Sequence, residues 1–338
     1  MKTRRGFTVV ELLACVGASA GIGSISAISF SKGTAEPPRD EIREIRDEVR
    51  DLRKRLDRLD ERLEKLSRDE REGGQKPVAE GAAAAAQRQL KDATHVRGIL
   101  QSMVIWGQNN RDEYPLPSRV DQNDLTVREK GAAKDTTSNI FSLLIFNGFI
   151  PSEICLSPAE SNANIEVDKD YEFSQPKAAV NREKALWDPA FNADFTKGKG
   201  NVSYAHMQPH GNRLARWSST FLATEAQVGD RGPEIAGVDA AGGKLAAKVK
   251  DPNTLTFLNH GPRESWEGNI GYADCHVDYV TTLLGDDPKV WDRYEGRAGL
   301  TFDCYFYDEP DDVNKRNIFM SIFTKAGPES KDWTAIWD

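Results

Sequence analysis

The chain has 338 residues, and its 45 Lys and Arg against 53 Asp and Glu give a net charge of −8. A mean hydropathy of −0.59 excludes a multi-spanning membrane protein, while 27 Gly and 4 Cys exclude collagen-like and disulfide-dense scaffolds. The acidic balance, with a pI near 5.4, argues against nucleic acid as a partner, and the length allows one large domain or two ordinary ones.

The first six residues, MKTRRG, carry Lys2, Arg4 and Arg5. Phe7 to Phe30 follows with Glu11 as its single charge. As a helix this stretch would extend about 36 Å, enough for a hydrocarbon core roughly 30 Å thick. Gly17, Gly21 and Gly23 lower its hydrophobicity but suit close helix packing in lipid. The basic flank predicts a single pass through the inner (cytoplasmic) membrane, with the N-terminus cytoplasmic and the remainder periplasmic or extracellular. A secretory signal peptide cleaved near residues 33–35 is the alternative. Glu11 opposes it, because a carboxylate inside an apolar run costs about 3 kcal/mol on insertion scales and by default needs a function or a partner.

The motif GFTVVELL, Gly6 to Leu13, resembles the processing site of type IV prepilins and type II secretion pseudopilins. Each element of that pattern is present: a short basic leader ending in Gly, then Phe, then Thr-Val-Val-Glu-Leu. The resemblance implies cleavage between Gly6 and Phe7 by a membrane-embedded prepilin peptidase and N-methylation of the new Phe7 amine. It also implies that Glu11 pairs with the N-terminal amine of a neighbouring subunit during assembly, which is how a buried carboxylate becomes tolerable in lipid. The sequence departs from many pilins in having no Pro within this helix; the first is Pro37.

Gly33 and Pro37–Pro38 break the chain over residues 31–38, a linker. From Arg39 to Glu72, 12 basic and 13 acidic residues make up 25 of 34 positions. The apolar residues among them are Ile42, Ile45, Val49, Leu52, Leu56, Leu59, Leu63 and Leu66, spaced alternately by three and four, which is a heptad seam. With Ile42 at position a, the facing pairs Glu41–Arg46, Glu48–Arg53 and Arg55–Asp60 are opposite in charge and Arg62–Ser67 is not. The pattern favours a parallel, self-pairing coiled coil about 37 Å long; a hetero-coil with a sister subunit and a single charged helix are the other readings.

Residues 73–86 read as a linker whose Ala run can join the next helix. Gln87 to Asp112 is predicted helical, with Leu90, Ala93, Val96, Leu100, Met103 and Val104 on one stripe. Ile140 to Ile150 predicts a short helix closed by Gly148 and Pro151. Strands are predicted at Asn201–Ala205, Thr220–Ala223, Thr254–Leu258, Asn269–Ala273 and Val277–Thr281, with weaker signals at Tyr305–Tyr307 and Ile318–Phe323. The expected fold class is therefore α+β: a transmembrane assembly helix, a coiled-coil rod, and a pilin-like head over residues 87–338 with a helix packed on an antiparallel sheet. Lys91–Pro117, Ile154–Pro158 and Asn259–Val280 are similar to segments of a large class of bacterial pseudopilin-like proteins. The last resembles its signature of a His followed by Asp-Gly-His, matched in type by His260, Asp274 and His276. Here the spacing is longer, and Cys275 stands where the class has a Gly suited to a left-handed turn.

Nothing in the sequence points to catalysis: no P-loop, HExxH or Gly-rich loop after a strand is present. No cofactor is expected. Satisfied turn residues are the first reading of His260, Asp274 and His276, and a metal site is the second. His206 and His210 would suit zinc on a helix, but Pro209 lies between them. Asp308 to Asp312 lacks the Gly and ligand spacing of a calcium loop. Cys15 falls in the span; of Cys155, Cys275 and Cys304 at most two can pair, with Cys275–Cys304 the first choice and Cys155 with either a near alternative. The expected function is a non-enzymatic pilin-like or pseudopilin subunit, whose partners are prepilin peptidase, other such subunits, the membrane, and itself through the coil. The alternative is an anchored coiled-coil envelope protein presenting a ligand-binding head.

Overall fold

The computed structural model describes residues 77–219, 223–241, 244–285, 303–310 and 312–338. The expected leader, span, first linker and coiled coil all lie outside the described residues, and with them Gly6, Phe7, Glu11, Cys15 and the seam from Ile42 to Leu66. The body described below lies within Pro77–Asp338.

Helix α1 spans Pro77–Asn109 and so begins inside the stretch read as linker. Pro77 stands at its first position, where the missing N–H costs nothing, and the Ala run after it has the highest helix propensity of any residue type. The helix meets the rest of the fold only from about Asp92 onward. Its buried stripe is Asp92, Val96, Ile99, Leu100 and Met103, rotated from the expected one, and Leu90 is 71% exposed. A single turn, α2 (Pro117–Val120), leads to α3 (Thr137–Phe146), which Thr136 caps by accepting the Asn139 N–H. Ile140, Phe141, Leu143, Leu144 and Ile145 of α3 are buried, and Gly148, at φ 72°, turns the chain out of it.

Ten short strands follow among the described residues: β1 (Tyr204–Met207), β2 (Ala226–Asp230), β3 (Ile235–Ala241), β4 (Lys244–Val249), β5 (Gly268–Tyr272), β6 (Val277–Val280), β7 (Leu284–Gly285), β8 (Asp303–Cys304), β9 (Met320–Lys325) and β10 (Thr334–Ile336). Six of them form one sheet in the order β10-β9-β1-β2-β5-β6, with every neighbouring pair antiparallel. β3–β4 and β7–β8 make separate two-stranded ribbons. Thr254–Leu258, expected as a strand, is instead a tight 3-10 turn over Leu255–Leu258. Asp251 and Thr254 explain it: their side chains accept the N–H groups of Asn253 and Thr256 and so bend the backbone locally.

The sheet is covered on both faces. One core cluster joins Val96, Ile99, Leu100 and Met103 of α1 with α3, Tyr204, Val228 and Trp217. The other gathers Trp266, Phe306, Tyr305 and Phe257 around Ala205 and Ile270, which lie one residue out of step with Tyr204 and Asn269 and so point to the opposite face. Gly271 sets the distance between α1 and the sheet: a Cβ there would come within 2.4 Å of Leu100 Cδ1 and 2.8 Å of Val96 Cγ1.

The expected plan is corrected by this architecture. The described residues form a sheet-rich, mostly antiparallel body with few helices, in place of an α+β chain organised around a membrane helix and a rod. Among the described residues no helix is long and apolar enough to cross a membrane, which corrects the expected transmembrane and inner-membrane placement. α1 has the length, but it carries Arg88, Lys91, Asp92 and Arg97, and its C-terminal part packs on protein.

Candidate functional site

The antiparallel register builds a polar row across the sheet. Tyr204 of β1 pairs with Asp230 of β2, and Asn269 of β5 pairs with Tyr279 of β6. Asn269 and Asp230 are joined directly, the Asn269 N–H donating to Asp230 Oδ2 at 2.7 Å. Asp92, on the buried stripe of α1, comes down onto this row, and His260 enters it from the loop before β5. His260 Nε2 lies 2.7 Å from Asp92 Oδ2 and 3.3 Å from Asp230 Oδ2. Asn269 Nδ2 donates to the same two oxygens, at 2.9 and 3.3 Å. The second oxygen of Asp92 accepts the Tyr204 hydroxyl at 2.6 Å. The His260 ring also meets the edge of Tyr279.

Burial makes these charges interdependent. The side chains of Asp92, Asp230 and His260 are 0%, 3% and 3% exposed. Desolvation, reinforced by the Asp92 charge, pushes the Asp230 carboxyl well above the usual range. Desolvation also acts to raise Asp92, but hydrogen bonds from His260, Asp230 and Tyr204 outweigh it and hold this carboxylate ionised. For His260 burial would favour the neutral ring; the two carboxylates prevail and raise it to about 10. Near neutral pH the resulting state is an ionised Asp92, a charged His260 and a protonated Asp230, with no net charge to bury. One oxygen from each Asp and a His260 nitrogen lie within 4.8 Å of one another, a group that could hold a metal ion.

Of the three residues matched to the signature, only His260 belongs to this cluster. Asp274 and His276 lie in the hairpin between β5 and β6, where Asp274 Oδ1 accepts the His276 N–H at 3.0 Å and also pairs with His276 Nδ1. The His276 ring stacks on Tyr272 with centroids 4.4 Å apart. Cys275 occupies the left-handed turn position at φ 68° in spite of its side chain. Hydrogen bonds from Cys275 N to Tyr272 O and from Tyr272 N to His276 O close the hairpin around it. Asp274, Cys275 and His276 thus build a turn.

The remaining candidates separate in the same way. His206 is buried between strands, with Nδ1 donating to Met207 O and Nε2 accepting from Thr137 Oγ1, both at 2.8 Å. That leaves the ring neutral, and burial lowers it to about 4. His210 lies apart, beside Trp333. In the acidic run, Asp308 meets Arg213 and Lys315, while Asp312 accepts the Asn317 N–H. Cys155, Cys275 and Cys304 are free thiols, which corrects the expected Cys275–Cys304 bridge. Cys304 is buried in the core cluster around Trp266, whereas Cys275 packs against the cluster under α1.

Asp92, Asp230, Asn269 and Tyr204 were not singled out in the sequence. Only Asp92 carried a usable signal, an acid four residues before Val96 and eight before Leu100 and therefore on the buried stripe. Asp230 ends an otherwise ordinary strand, and nothing local marks it.

No family model matches this chain, and no curated protein or solved structure shows significant similarity to it. No family evidence therefore stands behind a type II secretion pseudopilin, an expectation that rests on the N-terminal motif alone.

Proposed function

We propose that this chain is a pilin-like structural subunit of a pilus-type assembly, cleaved between Gly6 and Phe7 by prepilin peptidase and N-methylated on Phe7. The motif Gly6 to Leu13 carries this reading, in which Glu11 meets the N-terminal amine of a neighbouring subunit. The subunit's partners are the peptidase, other pilin-like subunits and, through residues 39–72, further copies of itself. The folded body supports the non-catalytic part of the reading. One buried cluster of titratable groups, Asp92, Asp230 and His260, is closed to solvent and ties a helix to a sheet. A catalytic group must reach its substrate, and these side chains are sealed.

Intact-mass measurement of the protein from its native host tests the proposal. The expected N-terminus is Phe7 bearing one added methyl group. Retention of residues 1–6, or an N-terminus near Ala35, refutes it.

A further inference from the structure

We propose that Asp92, Asp230, His260 and the Asn269 carboxamide form a binding site for one divalent transition-metal ion, of the Zn²⁺ or Mn²⁺ class, that fastens α1 to the sheet. The inference is separate from the assembly role and does not depend on it.

The donors come from four places in the fold: α1, the end of β2, the loop before β5, and β5 itself. His260 and Asp92 are 168 positions apart and Asn269 and Asp92 are 177, yet their polar atoms meet in one sealed space. Two carboxylates with a neutral imidazole carry two negative charges, which one divalent ion balances. The mixed nitrogen and oxygen set suits zinc or manganese, whereas calcium wants six to eight oxygens and this cluster has too few.

Asn269 provides the independent observation. Its side chain is fully buried and reaches into the cluster through Nδ2, while its Oδ1 meets no hydrogen-bond donor among the described residues. A half-turn about its Cβ–Cγ bond exchanges the two atoms, placing Oδ1 where Nδ2 now lies between the two aspartate oxygens. The carboxamide is then a fourth ligand. The surroundings hold the ligands in aim, as supporting hydrogen bonds do in metal sites. Tyr204 fixes Asp92 through its other oxygen, and the Asn269 N–H fixes Asp230.

The test uses the full chain, stripped with a chelator, dialysed and given Zn²⁺ alone or Ca²⁺ alone, with metal content and Tm as readouts. The expected result is one Zn²⁺ retained per chain with a raised Tm, and no retained Ca²⁺. Asp230→Asn keeps the shape of a protonated Asp230 and should therefore fold, but weaken Zn²⁺ binding by about tenfold or more. His276→Ala, which removes the exposed imidazole of the hairpin, should leave Zn²⁺ retention unchanged. The proposal is overturned if the wild-type chain retains no stoichiometric Zn²⁺ and the cluster is held by protons alone. Retention by Asp230→Asn equal to wild type, or loss of Zn²⁺ in His276→Ala, overturns it as well.

Discussion

His260 and His276 both meet aspartates, and the two settings behave in opposite ways. His276 pairs with Asp274 within one turn of chain, 42% exposed, so water solvates both partners and the pair adds little. His260 meets Asp92 and Asp230 across three elements with almost no solvent, so each charge there depends on the others. The residue types are the same; what differs is whether the partner is supplied by neighbouring sequence or by the fold. Local pairs shape a turn, whereas the distant pairs decide whether α1 and the sheet hold together.

The comparison can be broken most forcefully at its acids. Asp92→Ala should destabilise the fold by about 3–5 kcal/mol in urea or guanidinium unfolding, because it leaves His260 charged beside one half-paired carboxyl in a sealed space. Asp274→Ala should cost less than about 1 kcal/mol in the same measurement, and similar losses for the two would erase the distinction.

Separating burial from charge pairing needs a histidine that is buried with no carboxylate beside it, and His206 is one. Its folded value, about 4, lies below the ordinary 6.5. Between those values the unfolded chain binds the extra proton and the folded one does not, so this stability is full above pH 6.5 and drains as the pH falls toward 4. The loss over that window is about 3 kcal/mol. Replacing it, in His206→Gln, should flatten the acid limb of the stability–pH curve by about one proton relative to wild type. An unchanged slope would mean that His206 is already charged in the folded protein.

The smallest effect concerns the hairpin. Cys275→Gly removes the side-chain strain of the left-handed turn but adds freedom to the unfolded chain, so the net gain should be under about 1 kcal/mol, read as a small rise in Tm. A fall would show that the Cys275 contacts with the core outweigh its backbone strain.

What the sequence made legible was periodic or local. The helix through Val96, Leu100 and Met103 follows from its spacing, and the strands around Ile270 and Tyr279 follow from short β-rich runs bounded by Gly and Asp. The misreadings arose where a tertiary contact chose between equivalent options. Leu90 looks like part of the apolar stripe, but α1 meets the rest of the fold only from about Asp92 onward, which leaves Leu90 in water. Thr254–Leu258 has strand composition, but its hydroxyls and the nearby Asp bend it into a turn. The triad was out of reach for the same reason: Asp92 and Asp230 are single acids in unremarkable surroundings, and no local pattern records that both face His260. Nor could the orphaned Asn269 Oδ1 be anticipated, since an asparagine becomes unsatisfied only when its neighbours are known.

Gly271 has a consequence for Asp92. By carrying no side chain it fixes the thickness of the layer between α1 and β5, and Asp92 rides on the same helix one turn before Val96. The hydrogen-bond lengths of the triad are thus governed from a purely apolar contact. A methyl group at position 271 would act as a shim, lifting the helix and lengthening every bond that Asp92 makes. A buried polar cluster is thus calibrated by a place where the packing leaves out a side chain.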